Sequence, residues 1–112
     1  MPRPRRMRMV WLEPGVTYFK PAGVRMVSLQ EVTLTVDEFE SVRLKDYEGF
    51  DQKEAAKRMK ISQPTFQRLY ESARKKIADA IVNGKAIRIE GGNYMLVGGP
   101  GRRGRFGRGA RF

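Results

Sequence analysis

Two helix-start signals stand sixteen residues apart in this chain, and together they constrain the fold more than any other feature. In the run TVDE, Thr35 and Glu38 have the spacing of a capping box, in which a hydroxyl and a carboxylate satisfy two backbone amides reciprocally. Asp51 and Glu54 repeat that spacing. Each box carries a hydrophobic staple across it, Leu34 with Phe39 and Phe50 with Ala55. The signals predict a helix over 36–48, stopped by Gly49, and a short second helix over 52–59. After a turn at Lys60 to Ser62, a third helix is expected over 63–82, with Pro64 in the first turn, where proline fits, and Asn83-Gly84 as its end. The first helix should bury Val36, Phe39, Val42 and part of Leu44 and Tyr47, leaving an acidic opposite face. The third should bury Phe66, Leu69, Ala73, Ile77 and Ile81, which recur at steps of three and four.

Flanking these helices are weaker extended signals. Residues 32–34 alternate as a strand does, 16–20 reads as a strand or merely extended, and 86–90 with 94–97 could form a ribbon around Gly91-Gly92-Asn93. An isolated hairpin is marginal in water, so that ribbon should pack on the helices or pair with 32–34. The expected fold class is mainly α: a three-helix helix-turn-helix core with short extended or β segments. That domain, 10–97, lies between a basic arm, 1–9, and a disordered Gly/Arg-rich tail, 98–112.

A helix-turn-helix needs small residues where its helices cross, apolar residues locking each helix down, and a tight turn. Ala55 and Ala56 supply the small contact, Met59 closes the first helix, Ile61 plugs the turn, and Phe66 and Leu69 hold the second. The turn residue four after Ala56 is often glycine, because the backbone there tends to be left-handed, whereas this chain has Lys60. In this reading the helix beginning near Gln63 enters the major groove, with Gln63, Pro64, Thr65, Gln67, Arg68 and Glu71 reading bases. Lys53, Lys57, Lys60, Ser62, Arg74 and Lys75 would contact phosphates. An ordinary helical hairpin with a solvated polar face shares the caps and apolar spacing. The basic flank beside Gln63, Gln67, Arg68 and Arg74 favours DNA.

Charge supports a polyanionic partner and divides its location. The chain of 112 residues carries a net charge of +11. Four arginines lie in 1–8 and five in 98–112, with no acid in either, so nine of the eleven excess charges are terminal. Within the middle, 53–85 holds nine basic residues against three acids, whereas 31–54 holds eight of the twelve acids. In the arms, Arg3, Arg5 and Arg6 suit minor-groove or phosphate contact. Arg102, Arg103, Arg105 and Arg108, interleaved with glycine and Phe106, have the composition of a nucleic-acid tail or of a plain solubilising tail.

With no cysteine and no histidine, thiol catalysis, disulfides, imidazole bases and the usual zinc ligand sets are excluded. No cofactor or metal is expected. Asp37, Glu38 and Glu40 are better explained by favourable charge near a helix N-terminus than by acid–base work, so an enzyme is not expected. No stretch approaches the roughly 20 apolar residues of a membrane span, and the expectation is a cytoplasmic protein. The leading expectation is a transcription regulator that binds double-stranded DNA. The alternative is an RNA-binding or nucleoid-associated protein whose arms dominate binding. An adaptor using the acidic helix around Glu38 and Glu40 could coexist with either. A homodimer is expected for a reader of paired half-sites, with Tyr70, Trp11 and the run 94–97 as candidate contacts.

The segments MPRPRR, EPGVTYFKPAG, LTVDEFESVRLKDYEGFDQKEAAKRM and SQPTFQRLYESARKKIADAIVNGKAIRIEGG, with the basic C-terminus, resemble an uncharacterised family of small prokaryotic predicted DNA-binding proteins, domain of unknown function 134. The resemblance covers about residues 1–94. It implies a helix-turn-helix similar to region 4 of bacterial sigma factors, binding DNA at an unassigned target. Members of that family often carry cysteine near where Val10 and Trp11 stand here, so no metal or redox role carries over to this chain.

Overall fold

The computed structural model describes residues 7–97, and within them the helix starts match the capping signals. The elements in order are β1 (Arg8–Val10), β2 (Tyr18–Phe19), a 3-10 turn at Met26–Ser28, β3 (Glu31–Leu34), α1 (Val36–Val42), a π-helical turn at Arg43–Tyr47, α2 (Gln52–Met59), α3 (Gln63–Asn83), β4 (Ala86–Ile89) and β5 (Tyr94–Leu96). The described residues thus form three helices with short strands. The arm and tail arginines at 3, 5, 6, 102, 103, 105 and 108 lie outside the described residues. Of the segment assigned to a basic arm, 1–9, Arg8 and Met9 instead belong to β1, and Val10 beside them is fully buried.

At α1 the capping box is complete: Thr35 Oγ1 accepts from the Glu38 amide at 3.3 Å, and Glu38 Oε1 accepts from the Thr35 amide at 2.9 Å. The second box is half made. Asp51 Oδ1 accepts from the Glu54 amide at 2.8 Å, but the Glu54 carboxylate turns to Arg58, one helical turn on, at 3.0 Å. Beyond Val42 the helix widens, with the Glu48 amide donating to the Arg43 carbonyl five residues back. That widening adds a residue to the turn and rotates the side chains after it, so Leu44 is buried while Tyr47, expected to be partly buried, is 75% exposed. On α3 the buried stripe runs Phe66, Tyr70, Ala73 and Ala80, and Ile81 falls outside it.

Strand pairing departs from the expected ribbon. β4 pairs in parallel with β3, Glu31 opposite Ala86 and Leu34 opposite Ile89, and antiparallel with β2, while β5 pairs in parallel with β1. Both edges of β4 are therefore filled, and β5 has no edge of β4 left to join. The pairing of β4 with the 32–34 segment agrees with the sequence. Between β4 and β5, Gly91 and Gly92 take φ of 76° and 102°. The loop seats on the start of α1, where the Val36 amide donates to the Gly91 carbonyl at 3.0 Å. The Arg8 amide donates to the Asn93 carbonyl, tying β1 to the same loop.

Two cores result. Leu44, Ala55, Ala56, Met59, Phe66 and Tyr70 pack between the π turn, α2 and α3, with Phe50, Ile61 and Leu69 against them. Val10, Leu34, Val36, Ala73 and Ile89 form the second, where the strands meet α1 and α3. None of the described helices is long and apolar enough to cross a membrane.

Candidate nucleic-acid interface

The joint between α2 and α3 is built from backbone geometry first. Lys60 adopts φ 58° and ψ 45°, making it the one non-glycine residue with positive φ among those described. Its amide donates to the Lys57 carbonyl and the Ile61 amide to the Ala56 carbonyl, both at 3.1 Å, which is the bonding pattern of a Schellman motif. Ile61 then folds back onto Ala56 in the first core. Ser62 starts α3: its Oγ accepts from the Thr65 amide at 3.3 Å and its hydroxyl donates to Thr65 Oγ1 at 2.9 Å. The turn is thereby three residues long. Ala55, Ala56, Met59, Ile61, Phe66 and Leu69 all lie in the core assigned to them from spacing.

The outward surface of this joint is polar and basic. Gln63, Pro64, Arg68 and Glu71 on α3 are exposed, and Thr65 and Gln67 are half-buried. Gln52 Nε2 lies 3.5 Å from the Gln63 carbonyl, and Gln67 Nε2 donates to Glu71 Oε2 at 2.6 Å. Exposed Lys53, Lys57, Lys60 and Arg68 make no ion pair with any described residue. Arg74 is held more firmly. Its guanidinium lies 5.4 Å from the Tyr70 ring and 3.8 Å from Asp46, and the same Asp46 accepts from the Tyr70 hydroxyl at 2.6 Å. Burial and that hydrogen bond push the Tyr70 phenol above its usual range. Lys75 is exposed on the same helix, whereas the Ser62 hydroxyl is used in the cap.

Elsewhere several cations are paired, while Lys20 donates to the Pro21 and Val24 carbonyls, Lys45 lies over the Tyr70 ring and exposed Arg25 makes no ion pair with any described residue. Arg8 pairs with Asp37, Arg43 with Glu40 and Glu48, Lys76 with Glu38, Lys85 with Asp79 and Arg88 with Glu31. These pairs also overturn the expected acidic face of α1, because Asp37, Glu38 and Glu40 are all buried. Glu40 accepts from Arg43 Nε at 2.7 Å, Arg43 Nη2 at 2.9 Å and the Trp11 amide at 2.8 Å. Burial still holds its carboxyl above the usual range, outweighing those donors. For Glu38 burial also pushes upward, but donors from Lys76, Ser72 and the Thr35 backbone prevail and leave it lowered. With no exposed carboxylate stripe on α1, the adaptor surface expected around Glu38 and Glu40 is absent.

Of the expected dimer contacts, Tyr70 is buried, while Trp11 and Met95 keep exposed surface. Tyr70 is stacked on Phe66, with ring centroids 5.8 Å apart. The indole of Trp11 donates to the Arg58 carbonyl at 2.8 Å, and 94–96 is paired with β1. The Asp46 buttress gave no signal in the sequence, since Asp46 lies 24 residues from Tyr70 and further still from Arg74. The Gln67 to Glu71 pair did leave one, its i to i+4 spacing. Among the described residues, no group of three or more acids could hold a metal ion.

The family model described as "Protein of unknown function DUF134" matches residues 1–97. A UPF0251 protein of Caldanaerobacter subterraneus subsp. tengcongensis is 61% identical over 98 residues, covering 88% of this chain and 83% of the relative. One of Thermoanaerobacter pseudethanolicus is 62% identical over 96 residues, covering 86% of this chain and 81% of the relative. A third, of Moorella thermoacetica, is 60% identical over 98 residues, covering 88% of this chain and 66% of the relative. No solved structure matches the chain.

Proposed function

We propose that this chain, which belongs to the DUF134 family, is a duplex-DNA-binding transcription regulator with a helix-turn-helix like that of sigma factor region 4. In this reading α2, the left-handed turn at Lys60 and α3 are the motif, and the N-terminal part of α3 lies in the major groove. Gln63, Gln67 and Arg68 face base edges, Arg68 suiting the two acceptors of guanine. Lys53, Lys57 and Lys60, with Arg74 and Lys75 along α3, meet the phosphates that set register. No enzymatic step is assigned to the chain.

The observation that carries the reading is the contrast in how cations are used. Lys53, Lys57, Lys60 and Arg68 stand unpaired around an exposed amide-bearing face of α3, while Arg43, Lys76 and Lys85 are engaged by carboxylates. Unpaired cations beside hydrogen-bonding side chains are what a polyanion with readable edges requires.

Sequence selection from a random duplex pool, followed by anisotropy titrations over a range of salt, tests it. Gln67→Ala with Arg68→Ala should relax the selected sequence with a smaller effect on random duplex. Removing 98–112 should weaken all sequences alike and lower the salt slope by up to about 0.9 per lost phosphate contact. Equal losses on every duplex from both changes would refute base reading. Stronger binding to single-stranded RNA than to duplex DNA at the same salt would favour an RNA-directed role instead.

A further inference from the structure

Glu71 is out of place on a face meant for DNA. It is exposed on the stripe that runs Gln63, Gln67, Glu71 at four-residue steps, and the exposed cations Arg68, Arg74 and Lys75 surround it in sequence. A carboxylate there meets phosphate repulsion, so it needs a compensating role. Its partner is Gln67, whose Nε2 donates to Glu71 Oε2 at 2.6 Å.

That bond decides which way the Gln67 amide faces. A side-chain amide has one acceptor oxygen and a nitrogen with two hydrogens. Turning it over would set Oε1 against the Glu71 carboxylate, acceptor against acceptor. With one hydrogen held by Glu71, the amide keeps its oxygen and its second hydrogen for another partner. An acceptor beside a donor complements the N6 amino group and N7 of adenine. Guanine offers two acceptors at those positions and cytosine only a donor, so neither satisfies both ends.

We infer that Glu71 is a positioning residue that holds the Gln67 amide for adenine, so that the target half-site carries a required adenine in the major groove opposite Gln67. The inference rests on the reading of α3 as the groove-entering helix. Glu71 supplies discrimination rather than affinity, since its charge opposes approach to the backbone.

The test uses the full chain and its Glu71→Ala, Glu71→Gln and Gln67→Ala variants, each selected against a random duplex pool. Binding is then titrated on the best duplex and on single-base changes of it. The wild-type chain should select adenine at one position whose replacement costs about tenfold in affinity. Gln67→Ala should lose that preference. Glu71→Ala should lose it to the same extent while binding a random-sequence duplex as well as wild type or more tightly. Glu71→Gln should keep it, because its amide oxygen still accepts from Gln67. An unchanged adenine preference in Glu71→Ala overturns the inference, as does equal loss in Glu71→Gln, which would assign the effect to charge. Sequence-selective wild-type binding without a required adenine overturns it while leaving the groove reading intact. Failure of the wild type to prefer any duplex sequence removes the groove reading itself, and the inference with it.

Discussion

Lys60→Gly separates the turn's geometry from the turn's charge in one substitution. Lys60 sits at φ 58° and ψ 45°, exposed and without an ion pair, so little is lost in packing when its side chain is removed. An L-residue in the left-handed region costs about 1–2 kcal/mol. Glycine avoids that cost but loses about 0.5–1 kcal/mol through its greater freedom in the unfolded chain. The net expectation is a gain of about 0.5–1 kcal/mol, or a rise in Tm of about 3–6 °C for a domain of this size. Denaturant unfolding and a thermal melt read it directly. The same change removes one proposed phosphate contact, so the slope of log K against log salt on duplex DNA should fall by about 0.9. Lys60→Ala retains the backbone strain and should show only the second effect. A Lys60→Gly variant no more stable than wild type would refute the left-handed turn. A stabilised variant with an unchanged salt slope would refute the phosphate contact.

The packing around α1 sets three further outcomes. Glu40→Ala strands the Arg43 guanidinium and should cost about 3–5 kcal/mol in denaturant unfolding, nearer the lower figure because Arg43 keeps Glu48. Gly92→Ala should cost about 2–4 kcal/mol by the same assay, because a Cβ there would overlap the Asp37 carboxylate and come within 2.9 Å of Thr35 Cβ at a φ of +102°. Gly91→Ala meets nothing within 4 Å and should cost only about 1–2 kcal/mol, set by its positive φ. For pH, Glu38 is depressed in the folded chain, so its contribution to stability is full above the ordinary value near 4.5 and is lost as pH falls through the lower folded value. Glu40 is raised, and its ionisation opposes folding as pH rises through the carboxylate range. Carboxyl NMR titration should find the two on opposite sides of the ordinary value, and Lys76→Met should move Glu38 upward.

The parts of the fold that are local are legible in the sequence. Caps at Thr35 and Asp51, and the stop at Gly84, depend on residues within one turn of each other, whereas Ser62, read as part of the turn, also caps α3. Position 60 is readable as left-handed because it stands four after Ala56, where such a turn often carries glycine. Spacing does not show the contacts that lie across the chain. Glu38 looks solvated in sequence because its partners Ser72 and Lys76 are 34 and 38 residues away. Tyr70 looks like a surface contact because Asp46, which takes its hydroxyl, lies 24 residues away, although the stacking with Phe66 has the legible i to i+4 spacing. The 86–90 and 94–97 runs read as a hairpin because their glycine turn suits one, yet β2 and β3 already fill both edges of β4. At the candidate interface the exposed side chains and the i to i+4 spacing of Gln67 and Glu71 are legible, while the Asp46 buttress belongs to the assembled surface.

Whether the surface of α2, the turn and α3 meets duplex DNA is tested residue by residue by amide NMR spectra of the full chain titrated with a selected duplex. The largest shifts are expected on Lys53, Lys57, Lys60, Ser62 to Arg68, Glu71, Arg74 and Lys75, with β3 and β4 little changed. Shifts centred on the strands, or none among 52–75 while binding occurs, would contradict the assignment of that surface to DNA.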